Sequence, residues 1–245
     1  MIKKVEGIVV STVDYKESSK IINILTKDEG LIGVFAKESK RLKSNISSTS
    51  SILTYGTFHL NIRNNSMPNL MEVDVLDNFK AIKKDIIKMN YSIYLLELSS
   101  KVYMHDKNNN IYDILISGLK KINEGYDASI INSIIELKLL EYLGIKPIID
   151  KCVVCGNSND IVTISSYKGG YLCKDCVNNE KIFNIKTLKL IRIFYYVDIN
   201  KISKIDINPD IKKELNIFID DYYDRYSGLY LKSKDFLQEY ASINN

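Results

Sequence analysis

The chain contains four cysteines, and they fall as two C-x-x-C knuckles: Cys152 and Cys155, then Cys173 and Cys176. Seventeen residues separate the pairs, within the spacing at which four thiolates close around one tetrahedral ion. Each knuckle is a tight turn that points two sulfurs the same way, and the stretch between them brings the second pair round. Gly156 follows the first pair and Gly169-Gly170 precedes the second, where a chain doubling back needs positive φ. Two disulfides or four buried thiols would satisfy an isolated C-x-x-C, whereas the doubled pattern points to zinc. With all four coordination positions filled by protein, neither water nor substrate reaches the metal. The expectation is one structural Zn2+ per chain.

The rest of the chain divides by hydrophobic period around this module, which spans about residues 150–181. Residues 1–79 read as five short strands at about 5–13, 20–26, 30–36, 51–62 and 70–76, with an Asp28-Glu29-Gly30 turn before the third. Five strands with no long helix between them predict a small, partly open barrel. A Lys- and Ser-rich stretch at 38–50 reads as a long exposed loop between strands three and four. From Asn78 the period becomes helical. Phe79, Ile82, Ile86, Ile87 and Met89 begin a pattern that runs on through Tyr94, Leu98 and Val102 to the polar stretch 105–110. Further helices are expected at about 111–122 and 129–142. The second of these is apolar on so many sides that it should be buried between neighbours. After the cysteine module come helices at about 186–197, from Asn208-Pro209 to Gly228, and at 233–240. The stripe Leu215, Phe218, Ile219, Tyr222, Tyr223 and Tyr226 reads as core packing. The fold class is therefore α+β: an N-terminal barrel (1–79) and an α-helical domain (80–245) carrying an inserted four-cysteine zinc module.

At 45% apolar and 26% charged residues, the 245-residue chain has the composition of a globular protein with a sizeable core. No long apolar region follows the first residues, and no run of about 18 apolar residues occurs, so neither a signal peptide nor a membrane span is expected. Reduced thiols held by metal then point to the cytoplasm. The net charge of +4 hints at an anionic partner, but only local clustering carries an argument.

Catalytic signatures are sparse. There is no Gly-Lys dipeptide to build a phosphate-cradling loop, and no G-x-S-x-G elbow. His59 falls in an expected strand and His105 in a polar loop, neither beside a ligand or nucleophile in sequence. The chain reads as a non-enzyme. The segment Lys37-Glu38-Ser39-Lys40-Arg41-Leu42-Lys43 sets four cations against one carboxylate, a patch of net charge +3 leaving a barrel strand. Such a patch neutralises phosphates and releases counterions without sequence preference. Lys37, Lys40, Arg41 and Lys43 are the expected DNA contacts, with Lys20 and Arg63 as additions. Tyr15, Phe35 and Tyr55 are candidate base-stacking rings that barrel packing could equally claim.

The order of these features resembles the bacterial recombination mediator RecO family along nearly the whole chain. Tyr15-Lys16-Glu17-Ser18-Ser19-Lys20-Ile21-Ile22, with Leu25-Thr26 and Gly30, is similar to that family's opening strands. Ala36-Lys37 with Lys40-Arg41 resembles its A-K-G-x-R-type basic segment, except that Glu38 stands where the family usually has glycine. The most specific stretch is Glu136-Leu137-Lys138-Leu139-Leu140-Glu141-Tyr142-Leu143-Gly144-Ile145-Lys146-Pro147 leading into Cys152-Val153-Val154-Cys155-Gly156, continued by Gly169-Gly170-Tyr171-Leu172-Cys173. Leu231-Lys232-Ser233-Lys234-Asp235-Phe236-Leu237 resembles the terminal L-K-S-x-x-F-L signature.

The resemblance implies an OB-fold for the barrel and a mediator of recombinational repair. Such a protein binds single- and double-stranded DNA, anneals complementary strands, and helps RecA displace single-strand-binding protein. It also implies RecR as partner, RecF in some members, and the acidic C-terminal tail of single-strand-binding protein; on physical grounds the pocket for that tail should be apolar with a cationic rim. The protein would then be cytoplasmic and nucleoid-associated when bound to DNA. Two other classes stay open on residue chemistry: a zinc-stabilised protein-interaction scaffold without DNA binding, and a nuclease whose carboxylates converge only on folding.

Overall fold

The computed structural model describes residues 1–41, 44, 46–63 and 66–243. The chain forms two compact units, Met1–Glu124 with Leu231–Asn245, and Gly125–Tyr230.

In the first unit, strands β1 (Ile2–Tyr15), β2 (Ser19–Thr26), β3 (Gly30–Ala36), β4 (Tyr55–Asn61) and β5 (Asn69–Asp77) close into a barrel of order β1-β2-β3-β5-β4. All neighbours pair antiparallel except β3 and β5, which meet in parallel at Phe35 and Asn69. This five-stranded closure is the OB-fold arrangement. Alternation sends Val5, Val9, Ile22, Ile24, Val34, Ala36, Phe58, Leu60 and Leu70 into one core. Where β1 crosses β4, Gly7 faces Gly56, and a Cβ on Gly56 would come within 2.6 Å of the Asp74 carbonyl oxygen. Gly56 thus lets β4 lie close to β5, and Gly7, where a Cβ would come within 2.9 Å of the Leu25 carbonyl oxygen, lets β1 lie close to β2. The fourth strand starts at Tyr55 rather than at residue 51, because residues 49–53 form turns; Leu53, at φ 67°, nonetheless plugs the core.

Helices α1 (Lys80–Lys83), α2 (Ile86–His105), α3 (Asn110–Asn123) and α7 (Lys232–Ile243) belong to the same unit. The single helix expected from residue 79 to 102 is two. Asp85 has extended backbone and caps α2, its carboxylate accepting from the N–H groups of Ile87 and Lys88. Ile86 and Ile87 are consequently exposed at the first turn instead of facing inward. The helical period runs through the break because apolar residues continue on both sides of the cap. Half-buried Glu6 of β1 accepts from the hydroxyls of Tyr55 (2.9 Å) and Tyr112 (3.1 Å), fastening α3 to the barrel. Glu97 of α2 likewise accepts from the N–H groups of Lys232 and Ser233 at the start of α7.

In the second unit, α4 (Ala128–Tyr142) packs against both α5 (Ile185–Tyr196) and α6 (Pro209–Tyr226). It is buried nearly all round, including Asn132, Ser133 and Glu136. Asn132 donates to the Glu136 carboxylate at 2.7 Å, and the Tyr223 hydroxyl donates to the Glu136 carbonyl oxygen. Asn208 caps α6 with Pro209 at its first position, as expected. Of the aromatic stripe, Tyr222 and Tyr223 are buried, but Tyr226 is 40% exposed. Its hydroxyl donates to the carbonyl oxygen of Tyr167, at the tip of the hairpin β6 (Ile161–Ser165)–β7 (Gly170–Cys173). Among the described residues no helix is long and apolar enough to cross a membrane.

Candidate nucleic-acid interface and metal centre

The two knuckles flank the β6–β7 hairpin. Cys152 donates its backbone N–H to Asn157 and accepts from Gly156, whose φ of 79° makes the turn. In the second knuckle the N–H groups of Cys176 and Val177 both reach the Cys173 carbonyl oxygen. Val153 donates to Tyr171, which ties the first knuckle to β7. The four sulfurs converge within 4.8 Å of one another. A tetrahedron with metal–sulfur bonds of about 2.3 Å has edges of about 3.8 Å, and the Cys155 and Cys173 sulfurs stand 3.6 Å apart.

The titration of the group also fits a cation. Burial opposes ionisation of Cys152, but backbone N–H groups of Cys155, Cys173 and Val154 outweigh it and bring the thiol down to about 6. Hydrogen bonding to Cys155, with burial next, pushes Cys176 up to about 12. One thiolate thus disfavours the next, and a divalent ion among them relieves that repulsion. Cys152 and Cys173 are buried, Cys176 is half-buried and Cys155 is exposed at the rim. Among the described residues this is the group of metal-ligating side chains that could hold an ion. His59 instead bonds Asp74 across β4 and β5 at 2.7 Å, and His105 ends α2.

The basic segment leaves β3 and is stitched to the tip of the β1–β2 hairpin. Glu38 donates its N–H to the Ser19 hydroxyl (3.0 Å), and Lys40 donates its N–H to the Ser18 carbonyl oxygen (2.9 Å). Lys37, Lys40 and Arg41 are thereby brought beside Lys16 and Lys20, about twenty residues earlier in the chain. Asp14 brings the segment's expected charge of +3, in which Glu38 is already counted, down to +2. The Lys40 ammonium lies 2.8 Å from Asp14, and the Arg41 guanidinium lies 3.2 Å from Glu38. The Lys40 hydrogen bond, aided by the Lys20 charge, holds the Asp14 carboxyl below its ordinary range. Lys37 is exposed with no ion pair among the described residues. Lys43 lies outside the described residues.

Neither Asp14 as counter-charge nor Lys16 as neighbour is evident from the sequence. The cross-strand pairing of Asp14 with Lys20 is the signal, and it requires knowing the register. Arg63 is exposed on the loop after β4, whose far end reaches β3: Phe35 donates its N–H to the Pro68 carbonyl oxygen at 2.8 Å. The hairpin loop and the β4–β5 loop thus border the β2–β3 face, the position from which OB-folds hold nucleic acids. Of the three candidate rings, Tyr55 is committed to the interior. It is 6% exposed, stacks on Phe79 and is pushed up to about 12, chiefly by burial and then by its bond to Glu6.

Comparison with known proteins agrees with this architecture. Residues 1–79 match the family model described as Recombination protein O N terminal, and residues 83–235 match Recombination protein O C terminal. The chain is 35% identical to the DNA repair protein RecO of Bacillus pumilus over 247 aligned residues, covering 99% of this chain and 96% of that one. It is 36% identical to RecO of Listeria monocytogenes serotype 4b (99% and 96%) and 34% identical to RecO of Halalkalibacterium halodurans (99% and 97%). Matches over both halves of the chain, at this identity and in this order, mean that the chain belongs to the RecO family of DNA repair and recombination proteins.

Proposed function

We propose that this protein is a recombination mediator that works without catalytic turnover. It binds single- and double-stranded DNA, anneals complementary strands, and assists RecA in loading onto strands coated by single-strand-binding protein. The supporting observation is the convergence of Lys16 and Lys20, at the end of the β1–β2 hairpin, with Lys37, Lys40 and Arg41, from the segment after β3, at the rim of an OB-type barrel. Annealing breaks no covalent bond. Two phosphate backbones repel each other, and a cationic surface that holds both lowers the work of bringing complementary bases together. Residues 1–79 are assigned the DNA contacts through Lys20, Lys37, Lys40, Arg41, Lys43 and Arg63. Residues 80–245 supply the helical scaffold.

Cys152, Cys155, Cys173 and Cys176 would hold one Zn2+, whose chemistry here is to cross-link residues 152–176 into a rigid tip. RecR, in some settings RecF, and the acidic tail of single-strand-binding protein are the proposed protein partners, met in the cytoplasm on the nucleoid. A cavity of about 450 Å³ offers Leu190, Ile207 and Ile211 with Lys186 and Lys189, the lining such a tail requires, although Asp206 and Asp210 also border it.

The test is an oligonucleotide titration across salt concentrations. Lys40→Ala with Arg41→Ala should flatten the log K against log salt slope by about 0.7 for each single-strand phosphate that is no longer neutralised. An unchanged slope removes this loop from the footprint. Annealing of coated strands in a fluorescence assay separates a mediator from a scaffold that only binds RecR.

A further inference from the structure

The outer face of the barrel carries features that the cation cluster does not explain. Val13 of β1 is paired with Ile21 of β2, which is paired with Phe35 of β3. Their neighbours Ile22, Ile24, Val34 and Ala36 fill the core, so alternation turns Val13, Tyr15, Ile21 and Phe35 outward. Tyr15 and Phe35 meet edge to face with ring centroids 5.5 Å apart. Tyr15 is 41% and Val13 57% exposed, Phe35 is half-buried, and the Lys16 ammonium lies 5.5 Å from the centre of the Tyr15 ring.

The same face continues along β3 to Gly33. A Cβ there would meet only the Asn23 amide oxygen at 3.6 Å and the Met67 methyl at 3.7 Å. The backbone does not require glycine at this position, since its φ is not positive. What the missing side chain provides is a shallow floor beside the rings, in a strand where glycine otherwise weakens packing.

Outward-facing rings edged by cations suit a ligand that is flat and apolar on one side and anionic on the other. An unpaired nucleotide has that form: its base offers a π-face and its phosphate a charge. In a duplex the bases are stacked on each other and cannot reach the rings, whereas the phosphates remain accessible. The geometry points to a stacking platform for unpaired bases, formed by Tyr15 and Phe35 over the Gly33 floor, that confers preference for single strands. This rests on the DNA-binding reading above and divides the labour within it. The cations hold either form of DNA, and the rings select the open one.

Fluorescence anisotropy with a labelled oligothymidine strand, and with a duplex of the same length, tests the division. Tyr15→Ala with Phe35→Ala should weaken single-strand binding about tenfold per ring. The salt slope should stay at the parent's value and duplex binding should change by less than about twofold. Gly33→Val places a strand-favouring side chain on the floor without removing a ring or a charge. It should melt no lower than the parent while losing single-strand affinity, which keeps the test valid if the double variant folds poorly. Equal losses on both DNA forms, or undiminished single-strand binding in both variants, would overturn the platform. A parent protein that binds neither form would instead bring down the DNA-binding reading itself.

Discussion

Replacing Glu38 with glycine perturbs the basic segment at its backbone and its charge together, and the two effects are separable by assay. Glu38 adopts φ 55°, in the left-handed region where a side chain costs about 1–2 kcal/mol. Glycine removes that cost but returns about 0.5–1 kcal/mol through the greater freedom of the unfolded chain. The carboxylate pairs with Arg41 at 3.2 Å, but both groups are well exposed, so losing the pair costs about 0–1 kcal/mol. The backbone links are kept: the N–H of residue 38 still donates to Ser19, and its carbonyl oxygen still accepts from Arg41. Folding stability should therefore stay level or rise by about 0.5 kcal/mol, a melting shift of about 1–2 °C for a chain of this size.

DNA binding should change more. Arg41 already counts among the phosphate contacts, so the salt slope should stay near the parent's, while loss of the competing Glu38 carboxylate tightens single-strand binding at low salt. Calorimetric melting and anisotropy over a salt series measure the two parts. A melting temperature several degrees lower would refute the strain argument. Single-strand affinity at low salt that does not rise would show that the Glu38 pair was never what restrained Arg41.

Two further outcomes follow from the second unit. Cys173→Ser opens one coordination position, so metal content by mass spectrometry should fall from about one ion per chain toward zero, and melting of the helical unit should drop by more than about 10 °C; a variant that melts like the parent would argue against a fold-stapling role. Asp127 caps α4 through Ser129 and Ile130 and pairs with Lys212 of α6. Burial would raise its carboxyl, but the bonds from Lys212, Ser129 and Ile130 outweigh burial and lower it. A lowered folded value means that its contribution is complete above the unfolded carboxylate value and is lost as pH falls through the folded one. Asp127→Asn should therefore melt lower at neutral pH by about 1 kcal/mol of stability, yet lose less than the parent on acidification from about pH 5 to 3. Parallel pH curves for the two proteins would contradict this.

Much of the molecule is legible along the chain because it depends on neighbours in sequence. The barrel strands, the helix ends at Asn208 and Gly228, and the ligand spacing of the two knuckles follow from residue periodicity and turn chemistry acting over a few positions. The break at Asp85 escapes the periodicity for a related reason: apolar residues keep the helical period on both sides, and only the capping geometry reveals the stop. The basic face is legible only in part. Its cations can be read from residues 37–43, but their pairing with Asp14 and Glu38 and their meeting with Lys16 and Lys20 need the strand register. Likewise, all three candidate rings are visible in sequence, and only folding separates buried Tyr55 from exposed Tyr15. Local chemistry, written in spacing, determines which elements form. Which charges remain free and which rings face water is decided by contacts between distant segments, because neutralisation and burial are properties of three-dimensional neighbours.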